Sequence, residues 1–397
     1  MAHGDALWPW RALGRASVPA LLDSTFGAPG KTARRLAASW RTLALAEITH
    51  ARPDWGIKSV VVDGVEHPVV EEVTAQTPFA TLRRFRKVGV AEQPRVLVAA
   101  PMSGHFATLL RDTVRTLLRD HDVHVTDWHN VRDVPLAAGR FGLDEYIDHM
   151  IEFTAALGPG ANVVAICQPC VAALAAVAIM AEDDHPAQPA SLTLMAGPID
   201  CRIGPTAVNK LATSKPIAWF EKNLIGRVPW RLKGAGRRVY PGFLQLSAFI
   251  SMNRERHVEA FRKYFSHLAA GEEAEAKAIG DFYNEYMAVS DLSADFYLET
   301  VRLVFQEYAL PLGKLTLRGR KIDPTAIRRT ALLTIEGERD DICAIGQTLA
   351  AQELTRLRSY MRTHHVQPNV GHYGVFSGRR WQQHIYPVVR NVIQVSQ

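Results

Sequence analysis

Between residues 57 and 205 the hydrophobic positions alternate between two patterns, short continuous apolar runs and longer amphipathic stretches. Ile57–Val62 and Val65–Val73 flank Asp63-Gly64, a dipeptide suited to a two-residue hairpin turn. Phe79–Arg86 is extended in pattern, and Arg95–Ala100 is the continuous apolar run of a strand buried on both faces. The turn residues Pro101-Met102-Ser103-Gly104 follow, then helical periodicity over Phe106–Leu118 and a strand pattern at His124–Trp128. A helix around Tyr146–Leu157, a strand at Asn162–Ile166, a helix at Val171–Met180 and a strand at Ser191–Ala196 complete the series. Strands alternating with helices of this length predict a doubly wound, mostly parallel α/β sheet.

The alternation stops near residue 205. From 206 to 324 the chain is rich in helix formers, aromatics and Met, among them Trp219, Phe249, Met252, Phe282 and Tyr286. Strand pattern resumes at Ala331–Ile335 and around His364–Val366. The pattern predicts an α/β core from 56–205 and 325–397, interrupted by a helical cap over 206–324. Such an insertion would roof the strand C-termini, where open α/β sheets place their ligands. Residues 1–55 form a separate amphipathic helical segment carrying Leu7, Trp8, Trp10, Leu13, Leu36, Trp40, Leu43 and Leu45. That segment could dock on its own core, on a partner subunit or on another surface.

Composition narrows the class without changing this picture. The 397 residues are 47% hydrophobic and 22% charged, which is ordinary for a globular protein able to bury a large core. A net charge of +6 permits attraction to an anionic surface, but no module interleaving basic and aromatic residues points to nucleic acid. Two short basic clusters, Arg227–Arg238 and Arg318–Arg329, read as solvated faces. No run reaches the roughly 18 consecutive apolar residues of a transmembrane helix. Pro9, Arg11, Arg15 and Pro19 interrupt any signal-peptide core, so the expected location is cytoplasmic. In that compartment the four cysteines, Cys167, Cys170, Cys201 and Cys343, are expected to be reduced.

Three segments carry candidate chemistry. Val163-Val164-Ala165-Ile166 ends in Cys167-Gln168-Pro169 and runs into a small-residue helix, the pattern of a strand–nucleophile–helix elbow. Glu336-Gly337-Glu338-Arg339-Asp340-Asp341 follows a strand and supplies an acid; Val370-Gly371-His372-Tyr373-Gly374 follows another and supplies a base. Nucleophile, acid and histidine in this order are the order of the α/β-hydrolase fold, with the cap between its strands 6 and 7. Cys167 is thus the candidate nucleophile, His372 the general base and Asp340 the group that holds the imidazole tautomer. Cys170, Asp341, His364 and His365 are the competing residues. The oxyanion donors would be the main-chain N–H of Gln168 and one from Met102 or Ser103. His105, beside them, could touch substrate or pack. Cys167-Gln168-Pro169-Cys170 also has redox spacing, but no second such pair or nearby His pair completes a zinc site. The chemistry requires neither metal nor cofactor.

At these residues the chain resembles the intracellular poly(3-hydroxybutyrate) (PHB) depolymerases, which are related to polyhydroxyalkanoate synthases. The matching pieces are Ile166-Cys167-Gln168-Pro169, Thr334–Ile342 with Gly346-Gln347-Thr348, and Gly371–Trp381. Arg52–Ile57, Ala99–Arg111 and Asp295–Val301 support them. The resemblance implies a Cys–Asp–His triad on Cys167, Asp340 and His372 acting on amorphous polyester at a storage-granule surface. Cys170 departs from the expected pattern, and Ala165 and Pro169 differ from the glycines usual in a synthase elbow. Coenzyme A stays open as an acyl acceptor, as do a homo-oligomeric state and a non-catalytic role as a granule-coat protein.

Overall fold

In a computed structural model that describes residues 8–22 and 30–397, nine strands form one sheet. They are β1 (Ser59–Val62), β2 (Val65–Gln76), β3 (Ala80–Lys87), β4 (Arg95–Ala99), β5 (Asp122–Trp128), β6 (Asn162–Ile166), β7 (Ser191–Met195), β8 (Ala331–Gly337) and β9 (Arg362–Gln367). Their spatial order is β1-β2-β3-β5-β4-β6-β7-β8-β9. β1, β2 and β3 pair antiparallel, β3 joins β5 antiparallel, and all pairs from β5 to β9 are parallel. Counted from β2, this is the α/β-hydrolase order, and the long insertion falls between strands 6 and 7 of that count. The Asp63-Gly64 turn takes positive φ at both residues, 49° and 81°, as a two-residue hairpin with the twist of its strands requires.

The central strands are largely apolar because both of their faces are covered, and the buried polar pair Ser191 and Asn162 bond to each other at 2.7 Å. Every residue of β6 and β7 is buried. The helix after β6 is buried from Cys170 to Met180, so its sequence is small and apolar on all sides rather than amphipathic. Each Val, Leu or Ile sealed here contributes about 1.5–3 kcal/mol. One element differs from its periodicity. In Phe106–Leu118, Phe106 is extended (ψ 157°) and Ala107–Leu110 is a 3₁₀ turn, so the regular helix spans only Arg111–Leu117.

The insertion carries six α-helices in chain order: Ala207–Thr213, Ile217–Leu224, Gly242–Met252, Arg254–Ala270, Glu273–Tyr286 and Ala294–Glu299. It also holds a three-stranded ribbon from Gly226–Arg227, Arg238–Tyr240 and Leu292–Ser293, which the helical reading of this segment did not foresee. The basic cluster around it is not wholly solvated either. Arg237 is buried and donates to the carbonyls of Val134 (2.9 Å), Gly139 (2.8 Å) and Pro135, pinning the chain after β5. Arg318 and Arg320, in the other cluster, pair with Asp148 and with Glu182 and Asp183.

Two helices precede the sheet, Trp8–Leu22 and Lys31–Leu45; Leu7 lies outside the described residues. The second buries Ala38 and Leu45 in a cluster with Leu246, Tyr264, Leu268 and Tyr283 of the cap, and Arg41 forms a two-pronged pair with Glu273 at 2.7 and 3.0 Å. The N-terminal segment is therefore docked, through this helix, on its own chain. The cap is in turn bonded to the segment after β4. Ser290 N–H donates to the Gly104 carbonyl (2.9 Å), His105 bridges Val289, and Glu285 accepts from Thr108 Oγ1 (2.7 Å) and from Arg111.

Candidate active site

β6 ends at Ile166 and the next helix begins at Cys170, leaving three residues for the reversal. Cys167 makes it with φ 67°, a left-handed conformation costly for a residue with a Cβ. Strain of this kind lifts a nucleophile out of the sheet at a helix start. Pro169, at φ −67°, already has the helical value, and its missing N–H costs nothing there. The turn leaves little room behind it. A Cβ on Gly197, after β7, would collide with Cβ and Sγ of Cys170 and sit 3.0 Å from the Cys167 carbonyl oxygen.

The four cysteines separate by exposure. Cys170, Cys201 and Cys343 are buried, whereas Cys167 is half-buried. The Cys170 thiol donates to the carbonyls of Ala165 (3.3 Å) and Met195 (3.7 Å), and burial pushes its titration far up. Cys170 is a packing residue, and no disulfide joins it to Cys167.

Asp340 and His372 lie on the loops after β8 and β9. His372 Nδ1 and Asp340 Oδ2 are 2.8 Å apart, and Asp340 Oδ1 accepts the N–H groups of Ile342 and Cys343, each at 2.8 Å. The carboxylate is thereby fixed on three donors. Burial is the strongest single influence on His372 and opposes its charge. The charge and hydrogen bond of Asp340, with the nearby Cys167 sulfur, together outweigh burial and hold the imidazole well above the usual histidine range. Asp341 faces elsewhere, accepting from Asn253 Nδ2 at 2.8 Å. His364 is bonded to Thr334 Oγ1 (2.9 Å) and His365 to Gln367 Oε1 (3.1 Å), both along β9. Thus His372 is bonded to Asp340, while Asp341, His364 and His365 are bonded elsewhere.

Of the anticipated oxyanion donors, Met102 N–H reaches the Gln168 side-chain oxygen at 3.3 Å. The main-chain N–H of Gln168 and that of Ser103 have no partner among the described residues. His105 is buried with Nε2 3.2 Å from the Tyr286 carbonyl, stacked on Tyr286 and Phe249, and burial lowers its pKa to about 4. It is a neutral packing group that joins the cap to this turn.

A cavity of about 750 Å³ opens beside His372. One wall is aromatic, with Phe249, Phe282, Tyr283, Tyr286 and Tyr373, whose rings meet in stacked and edge-on pairs. The other wall is made by the loops carrying Asp340 and His372.

The family model for the PHB de-polymerase C-terminus matches residues 196–397, which include the cap, Asp340 and His372. The chain belongs to the PHB depolymerase family. With the fold described above, it is an ester hydrolase of the depolymerase type. No curated protein matches it. Among solved structures it is similar to 2-hydroxy-6-oxo-6-phenylhexa-2,4-dienoate hydrolase from Rhodococcus sp. strain RHA1, at 12% identity and a TM-score of 0.47, covering 83% of this chain and 99% of that one. A thermophilic esterase from Thermogutta terrifontis gives 15% identity and a TM-score of 0.42, covering 82% and 98%. The α/β hydrolase GrgF from Penicillium sp. sh18 gives 13% and 0.45, covering 84% and 98%. These likenesses carry no argument about substrate.

One depolymerase residue with a structural claim on the site escaped the sequence reading. Glu336, fully buried at the end of β8, accepts the N–H groups of Gly346 (2.9 Å), Thr348 (2.7 Å) and Leu349 (3.0 Å). It closes the loop that carries Asp340. A carboxylate ending an apolar strand, ten residues before a glycine, was the available signal. Glu336→Gln, which can keep its amide oxygen on these three donors but removes the charge that strengthens the bonds, is expected to cost about 1–2 kcal/mol of stability. The measurement is urea unfolding; an unchanged midpoint would show that the loop holds without this residue.

Proposed function

We propose that the chain hydrolyses the ester bonds of PHB through Cys167, His372 and Asp340. The observation that supports this reading is the half-buried Cys167, strained at φ 67°, within reach of a His372 that is bonded to Asp340 at 2.8 Å. The Cys167 thiol passes its proton to His372 and the sulfur attacks the ester carbonyl, and the oxyanion is met by the N–H of Gln168 and by that of Met102, once substrate displaces the Gln168 amide, or of Ser103. His372 gives its proton to the departing alkoxide, leaving a thioester. It then takes a proton from water, whose hydroxide releases the 3-hydroxyacyl group as the acid. Asp340 keeps the imidazole oriented and stabilises its cation. The neutral chain, with methyl branches and no charge, suits the aromatic wall formed by Phe249, Phe282 and Tyr286.

The test is release of 3-hydroxybutyrate from amorphous PHB granules, run beside short soluble esters and beside 3-hydroxybutyryl-CoA. Release from granules is expected. Polymer growth from the CoA ester would make the chain a synthase, turnover of soluble esters alone a general esterase, and no turnover a coat protein. Exposed Trp10 and Leu13 on the first helix are the apolar side chains offered to a granule surface.

A further inference from the structure

The cavity beside His372 has a second character that neutral ester chemistry does not use. Its rim carries Arg256 from the cap, Arg339 from the loop before Asp340, and Arg379 and Arg380 from the segment after His372. All four are solvent-exposed. Among the described residues none of these guanidinium groups is paired with a carboxylate, whereas Arg41, Arg84, Arg140, Arg318 and Arg320 all are. The one carboxylate lining the cavity, Asp341, is already held by Asn253. Four positive charges from three separate stretches of chain thus face an aromatic wall across one opening. A polyester interior offers them carbonyl acceptors but no negative charge to pair with.

We propose that this rim is a subsite for the free carboxylate end of an aliphatic ester chain. The chain would lie along the aromatic wall while its terminal carboxylate meets the arginines, whose planar forks match carboxylate geometry. The ligand class is an acidic oligoester, such as a short 3-hydroxybutyrate oligomer, and the consequence is cleavage measured from a chain end. The inference rests on the ester-hydrolase reading above and adds which part of the substrate is recognised.

The test compares the linear 3-hydroxybutyrate trimer as the free acid with its methyl ester, which removes the charge and keeps the chain. Wild-type enzyme is expected to show the higher kcat/KM on the free acid. In the Arg379→Gln/Arg380→Gln protein the ratio of the two kcat/KM values should fall about tenfold, mainly through KM for the acid, as expected for losing charge-assisted bonds at a solvated rim. A ratio that does not change, or an equal loss on both substrates, overturns the subsite. Calorimetric binding of the free-acid trimer to a Cys167→Ala protein, with and without the two Arg changes, reads the same contact without turnover. If wild type cleaves neither trimer, the hydrolase reading fails, and weakened binding in the Arg variant still supports the subsite. Binding that the Arg changes leave intact removes it.

Discussion

Cys167→Ala is expected to lower ester hydrolysis by roughly 10⁴- to 10⁶-fold, the range for removing the nucleophile of a triad. Cys170→Ala should keep most of the activity. The contrast follows from position. Cys167 is half-buried at the reversal with His372 in reach, whereas the Cys170 thiol is sealed and spends its hydrogen on two carbonyl oxygens. The fold should survive both changes, since neither removes a large core side chain. A companion variant separates strain from chemistry. Because residue 167 sits at φ 67°, Cys167→Gly should be about 1 kcal/mol more stable than Cys167→Ala while remaining equally inactive. Assay on granules and thermal melts read the two effects separately. Full activity in Cys167→Ala would move the chemistry away from the elbow.

Asp340→Asn is expected to reduce kcat by about 10⁴-fold with little change in KM, because the amide favours the wrong imidazole tautomer. It also has a pH signature. Asp340 and Cys167 raise the folded-state pKa of His372 against the opposing burial, so the protonated form is favoured in the folded protein more than in the unfolded chain. The stability this supplies is complete below the unfolded histidine value of about 6.5 and is lost as pH rises through the higher folded value. The mutant's deficit in Tm should therefore be largest near pH 6 and shrink toward alkaline pH. A deficit that grows with pH would mean that His372 is neutral in the native protein.

Much of the fold was written in local pattern. The strand that became β6 was legible to the residue, because the apolar run Val163–Ile166, preceded by Asn162 and the Pro159-Gly160 turn, suits a strand in a doubly covered sheet. The cap's position followed from where alternation stopped. What could not be read depended on partners distant in sequence. Asp340 and Asp341 are adjacent carboxylates, and only the loop's hydrogen bonds to Ile342 and Cys343 turn the first toward His372. Arg237 looked like part of a solvated run, but it is buried because three carbonyls after β5 need a donor. The exposed arginines of the cavity rim are dispersed from 256 to 380, so no charge cluster in the sequence announced them.

The bonds joining the cap to the segment after β4 bear on how a polymer gains entry. Gly104, His105, Thr108 and Arg111 hold the stretch from Glu285 to Ser290, and Met102 and Ser103 lie immediately before them in the chain. Swinging the cap outward would drag on the very backbone that must be still when a carbonyl oxygen becomes charged. Entry is therefore expected through the cavity beside His372 as it stands, without the cap opening. On the proposed polyester reading, a chain must be loose enough to thread in, so the looser stretches of polymer are expected to be cut first.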